Sequence, residues 1–152
     1  MNQGTSRKAQ FAGAVVLAFA AGVLVGAPRY DVQPSAIVSQ QQAKQENFGW
    51  GTLYTYFAGE SYGTKDGLAA VAVIKPGEEI HPPHEHPEEE YLLILEGEGT
   101  WSLKGRETVA HAGDMLYAAP WDIHGITNTG KTPLKFVVWK WNNNGVPLPV
   151  KH

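Results

Sequence analysis

From Phe48 to His152 the chain predicts an all-β domain, a single antiparallel barrel or jelly roll. Two observations carry this. Short runs rich in Val, Ile, Thr, Tyr, Phe and Trp alternate with Gly, Pro and Asn at intervals of roughly eight to twelve residues, and no segment of helical period interrupts them. Several runs, such as Tyr91-Leu92-Leu93-Ile94-Leu95, are apolar at successive positions, so both of their faces are expected to be covered.

The expected strands are Gly51 to Phe57, Leu68 to Lys75, Ile80 to His86, Glu90 to Leu95, Thr100 to Leu103, Thr108 to Ala110, Met115 to Ala118, His124 to Asn128 and Leu134 to Trp141. Turns fall between them at Lys75-Pro76-Gly77, Glu96-Gly97-Glu98-Gly99, Lys104-Gly105, His111-Ala112-Gly113-Asp114 and Asn128-Thr129-Gly130-Lys131, where glycine reaches positive φ at little steric cost.

What precedes the barrel reads differently. Arg7 and Lys8 lead into Phe11 to Ala27, which contains only Ala, Val, Leu, Phe and Gly. This is an export pattern, and residues 1–27 are read as a signal peptide or a membrane anchor; the apolar length suits either. Residues 28–47 are polar and Gln-rich, the composition of a linker, with a short helix expected from Ser39 to Gln45. The domain is therefore expected on the exported side, periplasmic or otherwise extracytoplasmic, touching a membrane only through residues 1–27.

Composition removes several classes of function. With 152 residues, 43% of them hydrophobic and 18% charged, the chain has room for one globular domain. Its net charge is −3, and without residues 1–27 it is −5, so no basic field exists to attract nucleic acid. There is no Cys, which excludes disulfides, thiolate zinc sites and iron–sulfur chemistry. Any metal site must use His and carboxylates.

The segment His81-Pro82-Pro83-His84-Glu85-His86-Pro87-Glu88-Glu89-Glu90 holds three of the six His and four acids in ten residues. In an extended chain His84 and His86 project to one face, about 6 to 7 Å apart, so their imidazoles can converge on one ion. Glu90 has the same parity but lies too far along a straight strand. A turn begun by Pro87 brings it back, making Glu90 the first choice of carboxylate and Glu89 the second. His124, at the start of its strand, supplies a third imidazole. Three His and one carboxylate leave about two octahedral positions open, a set suited to Fe, Mn, Ni, Co or Cu, with Zn as a further occupant.

These residues resemble the two motifs of the cupin superfamily. The first runs Gly, five residues, His-x-His, three or four residues, Glu, six residues, Gly; here it is Gly77, six residues, His84-Glu85-His86, three residues, Glu90, six residues, Gly97. In the second, Gly113, Pro120, His124 and Asn128 match, with Pro120 one residue late and Asp122 near the place of a missing Gly. The resemblance implies a cupin-type double-stranded β-helix (jelly-roll) barrel holding one divalent metal. It also implies a small-molecule ligand or substrate, with dioxygenases, isomerases, lyases and non-catalytic binding modules all represented in the superfamily.

Around this set, His81 is expected to be exposed or to stand beside the ligands, because its odd position points it away from them. Glu88, in the turn, is expected to be solvated. Most of the aromatics belong to a core, but Trp121, just before His124, is expected near the barrel mouth over a bound organic molecule. Tyr117 and Asp122 are the weaker candidates for a general base. Many cupins pair through exposed sheet edges, and by that resemblance and its apolar content the Trp-rich strand Leu134 to Trp141 is the expected edge contact of a homodimer.

Overall fold

A computed structural model describes residues 33–151, which form nine strands. These are β1 (Lys44–Phe48), β2 (Gly51–Gly59), β3 (Thr64–Ile74), β4 (Glu89–Glu96), β5 (Glu98–Leu103), β6 (Arg106–His111), β7 (Met115–Ala118), β8 (His124–Thr127) and β9 (Leu134–Asn143). The expected segment 1–27 lies outside the described residues.

One sheet has the order β1-β2-β3-β9-β4-β7, the other β6-β5-β8, and every pairing is antiparallel. The chain closes the two sheets on each other through the β4–β5 turn. Gly97 there has φ +83°, and a Cβ on it would lie 2.6 Å from the Pro133 carbonyl oxygen, so only glycine lets the two segments approach this closely.

Between the sheets lies the core. Alternate residues of β3 (Ala70, Ala72, Ile74), β4 (Leu92, Ile94) and β9 (Leu134, Phe136, Val138) point inward to meet Trp101, Ala110 and Ile126 from the smaller sheet. Phe136 is the largest fully buried side chain, and at about 3 to 5 kcal/mol for truncation to alanine it is a principal anchor.

Three expectations are corrected. Ile80 to His86 is not a strand: Pro82 and Pro83 have no N–H to give a ladder, and only isolated bridges at Glu79 and His84 survive. The helix expected from Ser39 to Gln45 is one turn, in which the amides of Gln42 and Ala43 both donate to the Ser39 carbonyl. The polar residues Lys44 to Asn47, read as linker, instead form most of β1, held by backbone pairing to β2 across the Gly49-Trp50 turn.

The outer face of the larger sheet was expected to be covered. Among the described residues it is not: Met115 is 56% and Tyr117 43% exposed, beside the partly exposed Tyr91, Trp139 and Trp141.

Candidate metal centre

The site forms where the loop after β3 meets the start of β8. His84 and His124 exchange two backbone hydrogen bonds, each N–H donating to the other's carbonyl at 2.9 Å. Directly opposed residues of an antiparallel bridge project to the same side, so this pair alone aims two imidazoles into the barrel. Their ring centroids are 4.9 Å apart.

His86 is added by a further backbone tie, the Trp121 amide donating to its carbonyl at 2.8 Å, and its ring is 5.1 Å from His84 and 4.9 Å from His124. One nitrogen from each of the three His lies within 4.8 Å of the other two, a triad that can hold a metal ion. Glu90 enters from the inner face of β4. Its Oε2 is 3.3 Å from His86 Nε2 and its Oε1 3.5 Å from His124 Nε2. Glu89, the second choice, points outward and accepts a hydrogen bond from Tyr117 Oη at 3.3 Å.

The hydrogen bonds behind the rings decide which nitrogens face inward. Nδ1 of His124 donates to the Asp122 carbonyl at 2.7 Å, and Nδ1 of His86 donates to the Glu88 carbonyl at 3.1 Å. With Nδ1 protonated, each neutral ring turns an Nε2 lone pair toward the acceptor oxygens of Glu90. Lone pair facing lone pair is unfavourable unless a proton or a cation lies between.

His124 Nε2 and His84 Nδ1 are buried with no hydrogen-bond partner. Orphaned buried acceptors are costly, at about 1 to 3 kcal/mol each, and a bound divalent cation would satisfy them together. The donor set, all imidazole and carboxylate, suits a transition metal.

Electrostatics follow from the same contacts. Burial, then the neighbouring His81, His124 and His86, hold His84 down at about 4, so it is neutral at pH 7 and able to ligate. Burial pushes the Glu90 carboxyl up, but the adjacent His124 and His86 nitrogens and their charge outweigh it and bring it to about 2. For His124, burial acts downward, yet the nearby Glu90 carboxylate and the hydrogen bond to the Asp122 carbonyl raise it.

Beneath the triad a cavity of 240 Å³ is walled by Leu53, Leu68, Leu92, Trp101, Phe136 and Val138, among others, with His81, His84, Glu90, His124 and Lys140 as its polar groups.

Several expected placements change. His81 is exposed, as expected, but it is not turned away: its ring centroid is 3.9 Å from that of His84 and it lines the cavity, because the Pro-rich loop has no strand parity. Glu88 is not solvated. Its side chain is 14% exposed, with Oε2 3.2 Å from His86 Nδ1 and Oε1 3.6 Å from Lys140 Nζ.

Trp121 does not cover the cavity; Nε1 donates to the Pro149 carbonyl at 2.7 Å, and the aromatic that does line the cavity is Trp101, 5.5 Å from the His124 ring. Neither Tyr117, on the outer face, nor Asp122, paired with Lys104 at 2.7 Å, lines the cavity. Asn128 is a buried staple, its Nδ2 donating to the carbonyls of Ile74 (2.8 Å) and Thr132 (2.9 Å) while its Oδ1 accepts from the Gly130 amide (3.0 Å).

The site can be set beside known proteins. A gentisate 1,2-dioxygenase from Streptomyces is 29% identical over 95 residues, covering 62% of this chain and 25% of that protein. An oxalate-binding protein from Thermotoga maritima is 32% identical over 78 residues, covering 51% of this chain and 64% of that protein. The match thus spans a quarter of the first relative's length and under two thirds of the second's.

Among solved structures, a protein from Klebsiella pneumoniae with a double-stranded β-helix domain superposes with a TM-score of 0.58 at 27% identity, covering 78% of this chain and all of that one. Residues 70–140, from within β3 to within β9, match the Cupin domain family. The barrel, its strand order and this match agree that residues 70–140 form a Cupin domain.

Proposed function

We propose that this cupin is a metal-dependent enzyme of the cell envelope acting on a small organic molecule, with one divalent transition metal held by His84, His86, Glu90 and His124. The observation that carries the reading is the convergence of three imidazole nitrogens within 4.8 Å, two of the rings oriented by carbonyl hydrogen bonds from behind. Bound there, a metal would supply either a redox centre, as in an oxygenase, or a Lewis acid, as in an isomerase or lyase.

The chain's own contribution is positional. Asp122 and Glu88 fix two ring tautomers through their carbonyls, the apolar wall surrounds the ligand's body, and Glu90 is the one carboxylate lining the cavity. Relatives named for gentisate dioxygenation and for oxalate binding favour small oxygen-bearing ligands. The oxalate-binding relative favours, as the second reading, a binding module without turnover.

Metal analysis of the chain purified without chelator, beside a His84→Ala, His86→Ala double variant, tests the proposal. About one metal per chain, lost in the variant, is expected; equal and negligible metal in both overturns it. Oxygen uptake or product formation against a panel of small compounds then separates enzyme from binding module.

β9 lies between β3 and β4 and is no sheet edge, so the expected edge contact of a homodimer is not available to it; we propose instead that a second copy of the same chain docks on the outer face of the larger sheet. Tyr91 stacks on Trp141 with centroids 5.7 Å apart and packs on Tyr117 at 4.7 Å, and Tyr91, Met115, Trp139 and Trp141 line one shallow apolar hollow.

A further inference from the structure

Lys140 is the only lysine or arginine among the residues lining the metal-side cavity. It lies on β9 directly opposite Glu90 of β4, on the same inner face as Phe136 and Val138. Its ammonium is 3.6 Å from Glu88 Oε1, a loose contact for an ion pair, and its side chain is only 27% exposed. A cation so placed, against leucine and aromatic walls, has one distant counter-ion and room for another anion.

Charge bookkeeping over the groups at the cavity decides which anion. With a divalent metal bound, the metal, Glu88, Glu90 and Lys140 sum to +1, which one negative charge neutralises. A volume of 240 Å³ exceeds the roughly 150 Å³ that holds a benzene molecule, and the walls are apolar, so the body of the ligand is a single ring or a short branched chain.

We propose that the cavity selects small monocarboxylates with an apolar body, and that Lys140 is the residue that recognises the carboxylate, drawn from its resting partner Glu88. The inference rests on the metal reading above, because the bound cation supplies the excess positive charge. Lys140 is a specificity residue here, acting on the ligand and not on the metal.

The test is calorimetric titration of the full chain, metal-loaded and metal-free, with benzoate and isobutyrate and with their neutral amides, benzamide and isobutyramide. The metal-loaded protein is expected to bind at least one acid about tenfold or more tighter than its amide, and the metal-free protein to lose that preference. Lys140→Met, which keeps the apolar stem, is expected to bind the acid about tenfold more weakly at unchanged metal content, the loss of one charge-assisted hydrogen bond. Glu88→Gln, which frees Lys140, is expected to bind it several-fold tighter.

Equal affinity of acid and amide, or of Lys140→Met and the parent, in protein that holds its metal overturns this inference and leaves the metal centre standing. Failure of the parent to take up metal overturns the reading beneath it instead.

Discussion

At the scale of single residues the site is a set of nitrogens made ready for a cation, and His84 shows it best. Its folded value of about 4 lies below the 6.5 of an unfolded His. Between these values the unfolded chain takes up a proton that the folded chain refuses, so stability is intact above pH 6.5 and falls as pH drops toward 4. Glu90, held near 2, refuses the proton that the unfolded carboxyl takes up around 4.5, so it adds to the fall at the acid end of that window. The melting temperature of the metal-free protein is therefore expected to fall between pH 7 and pH 4.5, and less steeply in His84→Gln. A parallel fall in both proteins would assign the acid sensitivity elsewhere.

Spacing alone made this residue visible, since His84-x-His86 and Glu90 sit in one acidic, His-rich run. The direction of His81 and the burial of Glu88 escape the sequence for two reasons. Strand parity does not hold for His81 in a segment whose prolines prevent a strand, and Glu88, in the turn, is buried by tertiary contacts with His86 and Lys140 that no local pattern announces. Lys140 carried no signal at all beyond a charge in an aromatic strand; its role depends on β9 lying beside β4, a pairing between segments about fifty residues apart.

Elements succeed or fail by the same measure. Strands with apolar runs, such as Tyr91 to Leu95 and Leu134 to Trp141, are legible because burial of their inner face imposes the pattern. β1 was missed because Lys-Gln-Glu-Asn-Phe is exposed and has no alternation to read; edge pairing with β2 makes it a strand.

Loops, in turn, are placed by tethers, and Asn128 is the strongest of them. Its side chain makes three hydrogen bonds while its backbone exchanges two more with Gly77 and Glu78, tying the turn after β8 to the loop that leads to His84. Asn128→Ala is expected to leave two buried carbonyls and an amide without partners, at a cost of about 2 to 4 kcal/mol from the loss of several such bonds. Chemical denaturation measures the loss. Because the tether reaches the site's own loop, metal affinity should fall in the same variant, whereas Phe136→Ala, of similar cost at about 3 to 5 kcal/mol, enlarges the cavity without moving the loop.

For the whole molecule, the unexplained feature is the bare outer face of the larger sheet. Cross-strand register puts Trp139 beside Ala69 and Tyr91, Val137 beside Val71 and Leu93, and Tyr117 beside Tyr91, so the apolar groups run continuously across four strands, β3, β9, β4 and β7. Met115 and Tyr117 are exposed and Val71, Tyr91, Leu93, Val137, Trp139 and Trp141 partly so, which makes a continuous apolar patch on the order of several hundred Å², the size that on soluble proteins marks an interaction surface.

A twofold contact needs one self-complementary surface, and a flat aromatic sheet face meets that condition without matched charges. Sedimentation equilibrium of the domain is expected to show a dimer, and Trp139→Thr with Trp141→Thr, both outward and both suited to a strand, to shift it to monomer while the metal centre on the inner face keeps its affinity. A monomer at tens of micromolar for the parent would remove the second copy from the proposal and leave the face free for another apolar partner. Loss of metal in the double variant would show instead that the face supports the barrel itself.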